Sequence, residues 1–297
     1  MSAVGSDRSQ IRAAWILVGP AVLLLVAFFL LPVVAGLLLS LTDFDIYAIA
    51  DPANARFVGL ANYAHVLSSD AFRQALANTL YFVLVGGPLS IAVSLAAAVL
   101  VEARLLRGKR WFRTAYFVPV VTTLVAVAIV WRYLYHPDGI INHLLRAIGA
   151  SPIDWLGNPR WAMPAIILLA IWKNFGYNML ILVAGLQAIP EQLYEAAEID
   201  GAGGLRRFLH VTLPGLGPVL FFVSVTTTIG YFQLFAEPYV MTQGGPLGAT
   251  RSIMLLMYEE GFRWWRMGDA ATLATFLLGV TLAGALIQIA LRRRLES

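Results

Sequence analysis

The 297-residue sequence is 59% apolar and only 13% charged, where soluble domains carry roughly 25% charged residues. That balance excludes a cytosolic globular fold, and a formal net charge of +4 placed beside apolar runs offers no basic face for nucleic acid. Without cysteine there are no disulfides, thiolate metal ligands or cysteine nucleophiles.

Uncharged runs occupy 13–42, 74–101, 114–131, 161–190 (interrupted only by Lys173), 208–236 and 270–291. About 20 apolar residues span a bilayer as a helix, and long runs without alternation favour helices over a barrel. The expected fold is an all-α polytopic membrane protein with six transmembrane helices. Lys and Arg concentrate at Arg8 and Arg12, at Arg104, Arg107, Lys109, Arg110 and Arg113, at Arg206 and Arg207, and at Arg292–Arg294. The excess of basic residues in short cytoplasmic loops then places the N-terminus and C-terminus in the cytoplasm.

In chain order, residues 1–12 form a polar cytoplasmic tail, expected to be disordered. Residues 13–42 form the first transmembrane anchor, too long for a signal-peptide core. An extracytoplasmic loop follows over 43–73, ending in a short amphipathic stretch. Five helices then make a core over 74–291. Gly86, Gly87 and Pro88 bring a kink or a hinge to the second helix. The third, over 114–131, ends in an aromatic belt of Trp131, Tyr133 and Tyr135. His136 and His143 lie outside without a third ligand, which makes a metal site the weaker reading.

Lys173 sits mid-run in the fourth helix. A lysine at such depth costs roughly 2.5–3.5 kcal/mol on insertion scales, which turns it toward a bundle interior or a wet cavity. Asn174, Tyr177 and Asn178 share its side of the helix. In the fifth helix, Thr226, Gly230, Gln233 and Glu237 fall at i, i+4, i+7 and i+11, with Thr227 and Tyr231 alongside. Helix–helix hydrogen bonding accounts for Thr226, Thr228 and Asn178 taken singly. Lys173, Asn174, Tyr177, Thr227, Tyr231, Gln233 and Glu237 are the candidate substrate pathway, because hydroxyls, amides and rings are what a sugar needs. The lysine itself reads either as a partner of Glu237 or as a counter-charge for an anionic substrate such as a phosphorylated polyol. Beyond the fifth helix, 251–266 reads as an interfacial helix anchored by Trp264 and Trp265.

The loop over 190–214 joins the fourth and fifth helices on the cytoplasmic side. Pro190 suits a first helical turn, acidic Glu191, Glu195 and Glu198 follow the positive end of the dipole, and Gly201, Gly203 and Gly204 supply a stop. Alone, this helix also fits a segment resting on the membrane surface. The order Glu195-Ala196-Ala197, three residues, Gly201, nine residues, Val211-Thr212-Leu213-Pro214 resembles the EAA loop of bacterial ABC-importer permeases, with Val211 where the pattern usually carries Ile. FVGLANY, HPDGIINHLL, PIDWLGNPRWAMP, GLQAIPEQLYEAAEIDGA, VMTQGGP and YEEGFRWWRMG extend the resemblance, toward sugar permeases of the maltose and glycerol-phosphate type.

The resemblance implies a type I (MetI-like) permease core with a cytoplasmic coupling helix, in which Glu195, Ala196, Ala197, Gly201, Leu213 and Pro214 engage an ATPase. It also implies that the positions matching Lys173, Asn174, Tyr177 and Tyr231 lie around the substrate cavity. The expected partners are a second homologous permease, two ATPase subunits, an extracytoplasmic sugar-binding protein and membrane lipid, in a bacterial cytoplasmic (inner) membrane. The chain contains no phosphate-binding Gly-x4-Gly-Lys-Ser/Thr loop, so it is expected not to be an enzyme and to carry no cofactor, with ATP and Mg held by the partner ATPase subunits. The alternatives are a permease for an anionic substrate such as glycerol phosphate, or an ATP-independent secondary carrier, the latter weakened by the absence of a visible inverted repeat.

Overall fold

The computed structural model describes residues 4–102 and 108–296; Arg104 and Arg107 of the expected basic loop lie outside them. The described residues are helical, with one isolated bridge between Thr42 and Phe57 and no named strand. The chain divides into two compact units. One holds residues up to Ser68 together with Met257–Phe276, and the other holds Ser69–Leu256 and the chain from Leu277 onward.

In the first unit, α1 (Val4–Leu25) runs through a π turn at Val26–Leu30 into α2 (Leu31–Leu39). The helix thus starts inside the polar stretch expected to be disordered. The wide turn directly precedes Pro32, whose ring would otherwise collide with the carbonyl four residues back. Next, α3 (Ile46–Ala50) is capped by Asp45, whose Oδ1 accepts from the Tyr47 and Ala48 amides at 2.9 and 3.1 Å. After it comes α4 (Ala61–Ser68), where Asn62 Nδ2 donates to the Ser40 and Thr42 carbonyls.

The second unit begins with α5 (Asp70–Tyr81), capped by Ser69, whose Oγ accepts from the Phe72 amide. A π turn at Phe82–Gly86 leads into α6 (Gly87–Glu102). Then come α7 (Lys109–Val121), α8 (Leu124–Leu134), α9 (Ile140–Ala147) and α10 (Pro159–Gln187). The stretch over 190–214 holds α11 (Glu191–Ile199) and α12 (Gly204–Arg207), followed by a π turn at Phe208–Thr212 and by α13 (Leu213–Gly215). Beyond it lie α14 (Gly217–Phe232), α15 (Ala236–Met241) and, both shared with the first unit, α16 (Ile253–Tyr258) and α17 (Met267–Glu296).

Among the described residues, four helices are long and apolar enough to cross a membrane: Gln10–Leu39, Asp70–Glu102, Pro159–Gln187 and Met267–Arg294. Two bent pairs raise the number to six if each is one span: α7 with α8, at 99°, and Gly204–Gly215 with Gly217–Phe232, at 68°. The core of the second unit is where α6, α10 and α14 bury Ala98, Val101, Met179, Leu182, Val183 and Val223 together. Burial of this kind contributes about 25 cal/mol per Å² of apolar surface against water. Between lipid-embedded helices, close van der Waals contact takes over that role.

The third run was expected to be one helix over 114–131, and this is corrected. Pro119 cannot donate to the helical ladder and its ring crowds the carbonyl of Ala115. Three and four residues later Thr122 and Thr123 are extended, with ψ of 149° and 134°. The break strands carbonyls that have no helical donor. Lys173 of α10 supplies one: its Nζ donates to the Pro119 carbonyl at 2.7 Å and to the Val120 carbonyl at 2.9 Å. The Thr122 hydroxyl also donates to Pro119 O, at 2.6 Å. One turn along α10, Gly176 lets the α7 backbone come so near that an added Cβ would overlap the Tyr116 carbonyl. Lys173 and Gly176, at i and i+3, therefore fasten α7 to α10 by a charge and by close approach.

The fifth run, expected as one helix over 208–236, is also interrupted. It bends at Gly215–Gly217, and α14 ends at Phe232. A continuous helix would need the Pro238 nitrogen to donate to the Leu234 carbonyl, which proline cannot do. That carbonyl instead accepts from the Ser252 hydroxyl.

Two outcomes follow from this packing, both read from the thermal midpoint of the detergent-solubilised protein. Gly176→Ala pushes a methyl into backbone that no rotamer change can relieve, so it destabilises by about 1–3 kcal/mol. Lys173→Met leaves the α7 carbonyls short of a charged donor and costs about 1.5–3 kcal/mol, with Lys173→Arg costing less. A midpoint unchanged in Lys173→Met would remove the capping role.

Candidate functional site

A cavity of about 450 Å³ opens within the second unit between α10, α14 and the irregular segment joining α14 to α15. Its polar lining comes from Asn174, Tyr177 and Asn178 of α10, Thr226, Thr227 and Tyr231 of α14, Gln233 after the end of that helix, and Glu237 of α15. Six of the seven residues expected along the pathway (Asn174, Tyr177, Thr227, Tyr231, Gln233 and Glu237) are thus on one wall system. Lys173 is not among the lining residues; its ammonium donates to the Pro119 and Val120 carbonyls of α7, while Glu237 lies near enough to act on it electrostatically. The regular i, i+4, i+7, i+11 spacing expected over Thr226–Glu237 is interrupted at Phe232, yet the loop after it returns Gln233 and Glu237 to the same cavity.

The local structure accounts for each placement. The Phe82–Gly86 π turn sets Phe82 against Tyr231, with ring centroids 4.7 Å apart and planes 26° from parallel. A Cβ on Gly86 would reach within 3.0 Å of the same tyrosine ring, so that glycine admits the aromatic stack. Asn178 Nδ2 donates to Thr227 Oγ1 at 3.0 Å, a buried bond that joins α10 to α14 and leaves their neighbours facing the cavity. Thr226 turns its hydroxyl back to the Phe222 and Val223 carbonyls, and Thr228 accepts from Gln288 of α17 at 2.7 Å.

Phe82, Leu124, Leu234, Phe235, Ala236 and Met254 supply apolar lining, and none of them stood out in the sequence. The only sequence signal for Phe82 is its position four residues before Gly86. Glu237 is 9% exposed, so the cavity holds one nearly buried carboxylate. Among the described residues no Lys or Arg lines it. Chemically, the wall offers amide and hydroxyl hydrogen bonds, an acceptor carboxylate and aromatic faces.

The second group of expected residues lies on and after α11. Pro190 precedes that helix, with ψ of 130°, rather than occupying its first turn. Gly201 takes φ of +74°, and the Ala202 and Gly201 amides close back on the Ala197 and Glu198 carbonyls at 2.9 and 3.1 Å. These are the two bonds of a Schellman stop, which fix the helix end at this glycine. Glu195 and Ala196 are exposed and Ala197 is half-buried. Leu193 and Ile199, at 50% and 87% exposure, put apolar surface on the same short helix. Leu213 and Pro214 form α13, at the 68° bend into α14.

The helix is mounted firmly. Tyr194 and Thr212 share a hydroxyl hydrogen bond at 3.0 Å, and Arg207 Nη1 lies 3.5 Å from Glu198 Oε2. Behind it, Glu102, Gln187, Glu191, Tyr194, Arg207 and Thr212 border a groove of about 900 Å³.

Residues 90–296 match the family model described as binding-protein-dependent transport system inner membrane component. The chain is 36% identical over 273 residues to the lactose transport system permease protein LacF of Rhizobium radiobacter, covering 91% of this chain and 90% of the relative. It is 34% identical over 271 residues to the sn-glycerol-3-phosphate transport system permease protein UgpA of Agrobacterium fabrum, covering 91% and 90%. A chain from the crystal structure of a bacterial ABC transporter that imports the acidic polysaccharide alginate superposes with a TM-score of 0.79, covering 99% of both chains at 22% identity, and so shares the fold. Matched by a family model over most of its length and by permease relatives nearly end to end, the chain belongs to the binding-protein-dependent transport system inner membrane components.

Proposed function

We propose that this chain is one of two permease subunits of an ATP-driven importer that carries an uncharged sugar or polyol into the cytoplasm. Each bent pair counts as one span in this reading, giving six, with both termini cytoplasmic. The second homologous permease completes the pathway, two ATPase subunits bind ATP and Mg, and an extracytoplasmic binding protein delivers substrate. The observation that carries the reading is α11. It is a nine-residue helix closed by a Schellman stop and tied to the next span through Tyr194–Thr212 and Glu198–Arg207, with apolar Leu193 and Ile199 turned outward. A short rigid helix with exposed apolar residues between carboxylates suits a socket in a partner protein better than bulk water.

The substrate class rests on the cavity. A phosphate or uronate group needs a cation, since an anion taken from water without one is heavily penalised. The cavity wall carries Glu237 and amides instead, and the one nearby ammonium is committed to Pro119 and Val120. Asn174, Gln233 and the hydroxyls suit a sugar's OH groups, while Tyr177, Tyr231 and Phe235 suit its C–H faces. A volume of about 450 Å³ is in the range of small-molecule sites. The glycerol-phosphate reading is therefore the weaker one, despite the relative that bears that name.

Two outcomes test this in liposomes containing the full importer. Gly201→Asp opposes the positive φ at the helix stop, and Glu195→Lys reverses a docking charge. Each is expected to lower ATP-dependent uptake at least about tenfold, the loss of roughly 1.4 kcal/mol of coupling, with membrane insertion intact. Uptake driven by an ion gradient without the ATPase would sink the importer reading. For the substrate, a panel of neutral and phosphorylated glycans is compared by stimulated ATPase activity. Asn174→Ala is expected to shift preference or affinity by about three- to thirtyfold, the loss of one or two hydrogen bonds. Lys173→Arg is expected to leave the order of preference unchanged, and a selective loss of anionic substrates in that variant would reverse the assignment.

A further inference from the structure

At the cytoplasmic ends of three helices sits a side chain that neither the family pattern nor the cavity accounts for. Glu102 is the last residue of α6. Its carboxylate accepts from Arg113 of α7 and, at 3.3 Å, from Nε2 of Gln187, the last residue of α10. Lys109, the first residue of α7, lies 3.7 Å from its other oxygen and also donates to the Glu102 backbone carbonyl at 3.1 Å. The Glu102 side chain is only 21% exposed, and those of Lys109 and Arg113 are half-buried.

Each partner alone stands where helix electrostatics oppose it. A carboxylate at a helix C-terminus meets the negative end of the dipole, and Lys109, Arg110 and Arg113 crowd the positive start of α7. Together they neutralise one another. A network of two cations, one amide and a shielded carboxylate also holds geometry better than a single exposed ion pair.

The position of this knot matters more than its strength. Gln187 ends the helix that leads, across three residues, into α11, and Glu102, Gln187, Tyr194 and Arg207 border the same groove. On the far side α7 runs to the 99° break, after which Leu124 of α8 lines the cavity. Accepting that α11 is the element the ATPase pushes, we infer that Glu102 is a positioning residue. It locks the base of α10, which carries α11, to α7, so that displacement of α11 reaches the broken helix beside the cavity. Without it α11 still docks and still triggers hydrolysis, but α7 follows the stroke incompletely.

The test uses the complete importer in liposomes with saturating substrate, and records ATP hydrolysed and substrate transported in the same vesicles. In Glu102→Gln, stimulated hydrolysis stays within about twofold of the unaltered protein. Substrate moved per ATP falls at least about fivefold, the lower end of measured coupling between sites. Glu102→Asp recovers most of the ratio, and Arg113→Met, which leaves Glu102 in place, lowers it in the same sense. A purely structural role predicts something else: hydrolysis and transport falling together with the amount of folded protein, the ratio unchanged. That result, or an unaltered ratio in Glu102→Gln, overturns the inference while leaving the importer reading intact. Unaltered protein that shows no ATP-dependent transport removes the importer reading itself, and this inference with it.

Discussion

The structure depends on a rule of the bilayer: with no water to bind, every backbone carbonyl at membrane depth must find a donor within the protein. The bent pair α7–α8 exists under that rule. Pro119 and the extended Thr122 and Thr123 end one apolar helix just before the next begins, and the carbonyls released there are taken by the Lys173 ammonium and the Thr122 hydroxyl. The lysine is tolerated at that depth because the break needs its protons, and the break is tolerated because the lysine is there. The same logic closes α14, where Ser252 answers the carbonyl that Pro238 cannot.

Around these breaks close contact adds to the charged contacts that hold the second unit. Gly176 brings two backbones together. Gly185 makes room for the side chains of Leu216 and Val219, where an added Cβ would stand 2.9 Å from either. Buried polar pairs such as Asn178–Thr227 and Ser224–Gln288 add direction to that packing. The cavity is the space these constraints leave. Its walls are two helices pinned to each other and one loop that helical geometry cannot continue, so its polar groups are presented without having to order themselves on binding.

What the sequence revealed and what it hid divide along the distance over which each residue acts. Apolar runs and the Gly201 stop were legible because membrane length and left-handed φ are local requirements. Pro119 and Pro238 were visible as residues, but their consequences depended on which distant donor would satisfy the carbonyls they release. Lys173 reads as a pathway charge when α10 is considered alone. Its partners lie more than fifty residues earlier in the chain, on a helix end that no periodicity announces. Gln233 and Glu237 were assigned to the cavity through a regular helical spacing that the structure breaks, and they reach it by way of a loop instead. Phe82 was missed because its role comes from a π turn and from the absence of a side chain at Gly86.

The outward-facing Ile199 on α11 has a consequence for the life of the protein in the cell. At 87% exposure it is a greasy tip at the end of a rigid stalk. In the importer proposed above, it would be harmless once seated in the ATPase and adhesive before that. In that importer, a copy made in excess of its assembly mates would offer this tip to chaperones and proteases.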